Sequence, residues 1–180
     1  NLAASLASLD RKVLLIDLDP QGNATTGSGI DKQGLTKTVY HLLLGSADLA
    51  AVRVRAEAGG FDLLPANRDM AGAEVELVEE KEREFRLKKA LGDLGGHYDY
   101  VLIDCPPALN LLTVNALTCA DSVIIPMQCE YFAIEGLADL VNTIKKIKAR
   151  LNPALVIDGV VRVMFDNRNT LAQHVSDQLK

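Results

Sequence analysis

Residues 13–26, VLLIDLDPQGNATT, constrain the fold more than any other stretch, because a saturated apolar run stops abruptly in two carboxylates, a proline and a Gly-Asn turn. An unbroken apolar run bounded by turn residues reads as a strand buried on both faces, the kind a parallel sheet uses. In open α/β sheets ligands bind at the carboxyl ends of the strands, so Asp17 and Asp19 stand where chemistry is expected. Residues 100–110, YVLIDCPPALN, repeat the device: an apolar run delivers Asp104 and then breaks at Pro106 and Pro107. A magnesium-nucleotide site needs acidic strand ends of this kind, since a hard cation beside phosphates takes oxygen ligands directly or through water.

Around these two strands the chain alternates apolar runs with amphipathic stretches. Strands are predicted at 12–18, 61–65, 99–104, 122–126 and 155–163, and helices at 1–9, 36–45, 69–94 with a break, 110–119, 134–150 and 169–180. That order predicts an α/β fold, a doubly wound, mostly parallel sheet with helices on both faces. Helix 134–150 is the clearest, with Ile134, Leu137, Leu140, Val141, Ile144 and Ile147 at helical spacing and charged residues opposite. The charged segment 79–89 reads as a solvated helix laced with i,i+4 pairs. At 180 residues and 48% hydrophobic content the chain can bury a sizeable core, and its length predicts one domain over 1–180.

No apolar run approaches the roughly 20 residues of a membrane span. Cys105, Cys119 and Cys129 form no CxxC pair, so buried or turn thiols are expected rather than a disulfide scaffold or metal knot. His41, His97 and His174 are too scattered for a metal site. Tyr131 and Phe132 follow Glu130 and could stack on a base or a partner, although packing is the plainer reading. Taken singly, Asp17, Asp19 and Asp104 are ordinary strand-end turn formers. Converging, they would repel one another and raise their pKa values unless a cation or hydrogen-bond donors compensated.

Residue by residue the chain resembles the ParA/Soj partition ATPases, the deviant Walker-A group of P-loop proteins. Its DxDPQGN is at 17–23, its Walker B strand with DxPP at 101–107, LLPAN at 63–67 and AGAEVEL at 71–77. LLTVNAL at 111–117, SVIIPMQCEYFAIEGL at 122–137 and VMFDNRNTL at 163–171 continue the match, which therefore spans the chain. The family's phosphate loop, KGGVGKTT, is expected just before Asn1, since nothing of the form GxxxxGK occurs in these residues. Residues 1–9 resemble the helix whose N-terminus carries that loop, and the family's following strand and adenine-contacting loop are expected past Lys180. The resemblance thus implies a single ATPase domain, incomplete at both termini in these 180 residues, which alone are expected to be inactive.

What the resemblance implies for the site is specific. Asp104 corresponds to the Walker B acid that holds magnesium-bound water, Asp19 to the acid that positions the attacking water, and Asp17 lines the same site near the metal's water shell. Gly22, Asn23 and Thr25 resemble the mobile first switch loop, and Pro106, Pro107 and Asn110 the second. ATP and Mg2+ are the implied cofactors. The implied partners are a second copy in an ATP-dependent homodimer, a ParB-like centromere-binding protein and non-specific DNA, without a membrane, in the cytoplasm at the nucleoid.

DNA binding by a chain of net charge −5 needs a local basic face. Arg168, in the family's DxRxxL pattern at 166–171, resembles a DNA-facing residue. Lys145, Lys146 and Lys148 form a second candidate, although basic residues at a helix C-terminus also complement the helix dipole, worth about 0.3–1 kcal/mol. Two other classes share acidic strand ends. A MinD-like membrane-cycling ATPase usually lacks the PQGN continuation seen at 20–23, and a bacterial tyrosine kinase carries a tyrosine-rich tail, whereas the four tyrosines here are unclustered. A nucleotide-independent dimerising protein is the reading that a true absence of the P-loop would leave.

Overall fold

The computed structural model describes residues 1–92, 94, 96–130 and 133–178. Tyr131, Phe132 and the last two residues of the predicted C-terminal helix lie outside the described residues. Two compact units are present, Asn1–Cys119 and Ala120–Lys180.

The first unit runs α1 (Leu2–Ala7), β1 (Val13–Asp17), α2 (Asn23–Gly27), α3 (Val39–Leu44), α4 (Leu49–Val52), β2 (Val54–Ala56), β3 (Phe61–Leu64), α5 (Met70–Glu76), α6 (Arg86–Leu91), β4 (Tyr100–Asp104) and α7 (Leu111–Cys119). Its sheet has the order β2-β3-β1-β4. β1 is parallel to both neighbours, with Leu14 opposite Asp62 and Val101, and Asp17 opposite Asp104. Only β2 is antiparallel, hairpinned onto β3. Successive side chains of a strand point to opposite faces. Val13 and Leu15 accordingly pack with Ala3 of α1, Ala56, Phe61 and Leu102, while Leu14 and Ile16 pack with Val39, Leu43, Met70, Leu87 and Leu112 from helices on the other face. The α/β architecture with helices on both faces follows from that alternation.

The second unit comprises β5 (Ser122–Gln128), α8 (Ala133–Arg150), β6 (Val156–Val163) and α9 (Thr170–Gln178). β5 and β6 pair in parallel, with an irregularity between Val123 and Ile124. Ile144 and Ile147 of α8 are buried, and Met127, Cys129, Ala172 and Val175 form a small core with Ile134 and Leu137. Asn152 Nδ2 donates to Ala120 O at 2.8 Å, tying the turn after α8 to the start of the unit. No described helix is long and apolar enough to cross a membrane.

Several elements differ from their predicted form. The edge strand β2 and the short helices α2 and α4 are additional to the predicted set. Predicted helix 69–94 is α5, two 3-10 turns at Leu77–Glu79 and Arg83–Phe85, and α6, because Glu80 is extended and Glu82 takes the left-handed region at φ 51°. Its ion pairs are therefore Arg83–Glu84, Arg86–Glu80 and Lys89–Glu82, none of them at i,i+4 spacing.

Candidate functional site at the strand ends

The carboxyl ends of β3, β1 and β4 lie side by side. Asp17 closes β1 and is fully buried. A buried carboxylate needs donors, and here all come from the segment that follows. Asp17 Oδ2 accepts from the Thr25 amide at 2.8 Å and from the Thr25 hydroxyl at 2.7 Å, and Oδ1 accepts from the Asp19 amide at 3.1 Å. The Thr25 hydroxyl also accepts from the Ala66 amide at 2.9 Å, linking this segment to the residues after β3. Burial still holds the Asp17 pKa above the ordinary carboxylate value, against the lowering effect of the Thr25 and Asp19 hydrogen bonds.

Asp19 is half-buried, and its Oδ1 accepts from the Gln21 amide at 2.9 Å, an Asx turn of the kind a carboxylate before Pro-Gln-Gly forms. Gly22 sits in the left-handed region at φ +61°, where a Cβ would come within 2.8 Å of Ala66 O. Only glycine allows that approach. Gly22 caps α2, and Lys32 Nζ donates to Gln21 O at 2.5 Å. Asn23 is exposed and Thr25 buried. The predicted loop residues thus form a helical turn anchored to Asp17.

Asp104 is exposed at the end of β4. Its main-chain oxygen accepts from the Leu18 amide at 2.9 Å, while its carboxylate accepts no hydrogen bond among the described residues. Desolvation at the strand end, then the charges of Asp17 and Asp19, raise its pKa. The next residue, Cys105, has its thiol pushed up to about 12, by burial first and Asp104 second. Pro106 is buried and Pro107 exposed. Asn110 Oδ1 accepts from the Thr113 amide at 3.1 Å, capping α7, and Asn110 Nδ2 donates to Glu74 Oε1.

The sheet thus brings Asp17, Asp19, Thr25 and Asp104 to one strand-end region, with Gly22 shaping the backbone. Their carboxylates do not form a ready-made cation cage: no group of three or more His, Cys, Asp or Glu could hold a metal among the described residues. Asp17 is occupied by its donors, whereas the Asp104 carboxylate and Asp19 Oδ2 accept no hydrogen bond among the described residues. Ala66 and Glu74 were not singled out by sequence reasoning, although both lie in the LLPAN and AGAEVEL segments. The DNA candidates belong to the second unit. Arg168 is exposed and forms a bidentate pair with Asp166, Nε to Oδ1 at 3.0 Å and Nη2 to Oδ2 at 2.9 Å. Lys145, Lys146 and Lys148 are exposed on α8 and make no ion pair among the described residues.

The AAA_31 family model, an AAA domain, matches residues 1–157. The chromosome partitioning protein ParA of Caulobacter vibrioides is 47% identical over 182 residues, covering 100% of this chain and 68% of the relative. The sporulation initiation inhibitor protein Soj of Bacillus subtilis is 48% identical over 180 residues, covering 100% of this chain and 71% of the relative. Among solved structures, the cobyrinic acid a,c-diamide synthase of Mycobacterium smegmatis with bound ATP analog and magnesium superposes with a TM-score of 0.94 at 42% identity, over 98% of this chain and 72% of that one. Acidic ends on adjacent parallel strands, a segment after Asp19 tied to one of them through Thr25, and 47–48% identity to ParA and Soj along the whole of this chain place it in the ParA/Soj family.

Proposed function

We propose that the protein is the ATP-hydrolysing switch of a chromosome or plasmid partition system, using ATP and Mg2+, dimerising with ATP and binding DNA without sequence preference. One observation carries the reading: a single buried carboxylate, Asp17, holds the 19–27 segment through Thr25 while its neighbour Asp104 keeps its lone pairs free. Ala66 extends that link to the end of β3, so a change at the strand ends would reach a segment able to report it.

The donor set suits a magnesium-nucleotide. An exposed oxygen donor, its pKa raised by desolvation first and by the charges of Asp17 and Asp19 next, matches a hard cation. When bound, the magnesium-nucleotide supplies the reacting phosphoryl group and neutralises its charge. Asp104 would hold the metal's water shell, Asp17 would lend charge from behind, and Asp19 would orient the attacking water. Gly22, Asn23 and Thr25 on one side and Pro106, Pro107 and Asn110 on the other would sense the phosphates. Residues 1–180 would belong to one ATPase domain acting at the nucleoid in the cytoplasm, with a ParB-like protein as stimulating partner. Two relatives named for partitioning or as Soj are more similar to this chain than the synthase-named structure, which favours the partition reading.

The test uses the full-length protein. Asp19→Ala is expected to retain ATP-dependent dimerisation and to lose turnover by about 10²- to 10⁴-fold, the range of a positioned acid-base group. Asp104→Ala is expected to raise the magnesium requirement instead. Single-turnover hydrolysis read beside light scattering separates the two, and near-normal turnover in Asp19→Ala removes Asp19 from the role.

A further inference from the structure

A cavity of about 400 Å³ opens at the opposite end of the first unit's sheet, lined among others by Arg11, Lys12, Arg53, Arg55, Asp62 and Tyr98. Lys12 precedes β1, and the four steps along that strand put the cavity roughly 13 Å from Asp17 at about 3.3 Å per residue. It is therefore separate from the strand-end site.

Its charge is at odds with the molecule. Four basic residues, Arg11, Lys12, Arg53 and Arg55, and two acidic ones, Asp10 and Asp62, line it, in a chain of net charge −5. Nearby Asp99 spends one oxygen on the Lys12 amide at 2.8 Å.

The two guanidiniums are held in place by shared anchors. Arg55 stands opposite Asp62 in the β2–β3 ladder, donating Nη1 to Asp62 Oδ1 at 3.1 Å and Nη2 to Gly60 O at 3.0 Å. Arg53 donates Nη1 to the Tyr98 hydroxyl at 3.2 Å, and that hydroxyl donates to Asp62 Oδ2 at 2.7 Å. One carboxylate thus orients two guanidiniums and neutralises only one. Each guanidinium has five N–H donors, and Arg53 and Arg55 keep side-chain exposures of 46% and 50%. Donors held at fixed angles with an unneutralised charge are the arrangement that recognises oxyanions bidentately.

Asp10 lines the rim of the same cavity. Its φ of 58° lies in the left-handed region, where it ends α1 with the Arg11 amide donating to Leu6 O at 3.2 Å. Glycine is the residue that such a helix end ordinarily takes. An aspartate there adds a negative charge at the rim of a cationic cavity.

We propose that this cavity binds a compact dianion, a phosphate group or a pair of carboxylates, with Arg53 and Arg55 as the clamp and Asp10 moderating affinity. The probe is inorganic phosphate added to the full-length protein with its nucleotide site saturated by ADP, read on the Arg53 and Arg55 Nε–Hε resonances. Saturable shifts are expected with phosphate and not with chloride at equal ionic strength. Malonate as a second probe distinguishes the sources: equal binding assigns the site to dianions in general, and failure assigns it to phosphates. The Arg53→Gln, Arg55→Gln double variant is expected to weaken binding at least about tenfold. Asp10→Asn, which tolerates the same backbone, is expected to tighten it a few-fold and serves if the double variant loses its fold. Shifts matched by chloride, no saturable shift, or unchanged affinity in Asp10→Asn overturns the proposal.

Discussion

Thr25 uses its amide and its hydroxyl on one buried carboxylate and then accepts from Ala66. Thr25→Val is expected to cost about 1–3 kcal/mol, the range for stripping a donor from a buried polar group. The pH dependence fixes its sign. Asp17 has a raised folded pKa, so the folded state binds its proton more tightly than the unfolded chain does. This group's contribution therefore falls as pH rises from the ordinary value of 3.8 through the raised one. Losing the hydroxyl raises that pKa further, so Thr25→Val should be most destabilising at neutral pH and less so in acid. Urea unfolding of both proteins across that window decides it; a loss independent of pH would mean that Thr25 acts by packing alone. Cys105, with its thiol pushed up to about 12, is expected to alkylate far more slowly in the native protein than after unfolding in urea, since the thiolate is the nucleophile. The aspartates and Thr25 were legible in the sequence as site candidates. Their division of labour was not, because the residue that completes the network, Ala66, is 41 positions from Thr25.

At the scale of elements, α7 shows how polar side chains can fix a segment that propensity alone misreads. Asn115 is fully buried, its Nδ2 donating to Arg83 O at 2.8 Å and to Leu111 O at 3.0 Å, its Oδ1 accepting from the Leu87 amide at 3.0 Å. Thr118 adds a bond from its hydroxyl to Glu84 O at 2.5 Å. These bonds satisfy the backbone of 83–87 outside a continuous helix, which is why the predicted 79–89 helix with its i,i+4 pairs did not form. Asn115→Leu, close in size, strands two backbone groups and is expected to cost about 1–3 kcal/mol, with hydrogen-exchange protection lost first at 83–91. Uniform loss of protection across the unit would contradict it. Helix α8 lies at the other extreme. Its apolar stripe was legible because its buried residues follow one period, and Ala133–Arg150 differs by one residue from the predicted range. β2 left no such trace: three residues are too few for a period to show.

For the whole molecule, an acidic chain that binds DNA must do so through a local basic surface, and two copies joined by ATP would double it. Affinity is then expected only with ATP, and log affinity should fall with log salt by about 0.9 per phosphate neutralised. The Asp166–Arg168 pair gives that expectation a further edge. Asp166 already holds the guanidinium and keeps its own pKa low through it, so Asp166→Ala should strengthen duplex binding and Arg168→Glu should weaken it for all sequences alike. Duplex titrations with ATP, ADP and no nucleotide over a salt series provide the reading, and equal affinity in the three states sinks the dimer proposal. At this scale the alternation of apolar runs and helices was enough to reach the fold class, since a central strand as buried as β1 leaves little choice of architecture.

The two-stranded β5–β6 layer has one more consequence. Parallel strands are ordinarily covered on both faces, yet Ile124 is 48% exposed, Val156 47% and Val161 49%. The β6 segment VIDGVVRV has no proline, and its single acid and single base cancel, a composition prone to stack into intermolecular sheets. The polypeptide of these 180 residues, kept concentrated, is therefore expected to behave as a poor colloid: it should light up a hydrophobic dye, scatter increasingly with concentration, and become tractable with Val161→Lys, a solubilising change that leaves its helical circular dichroism as it was.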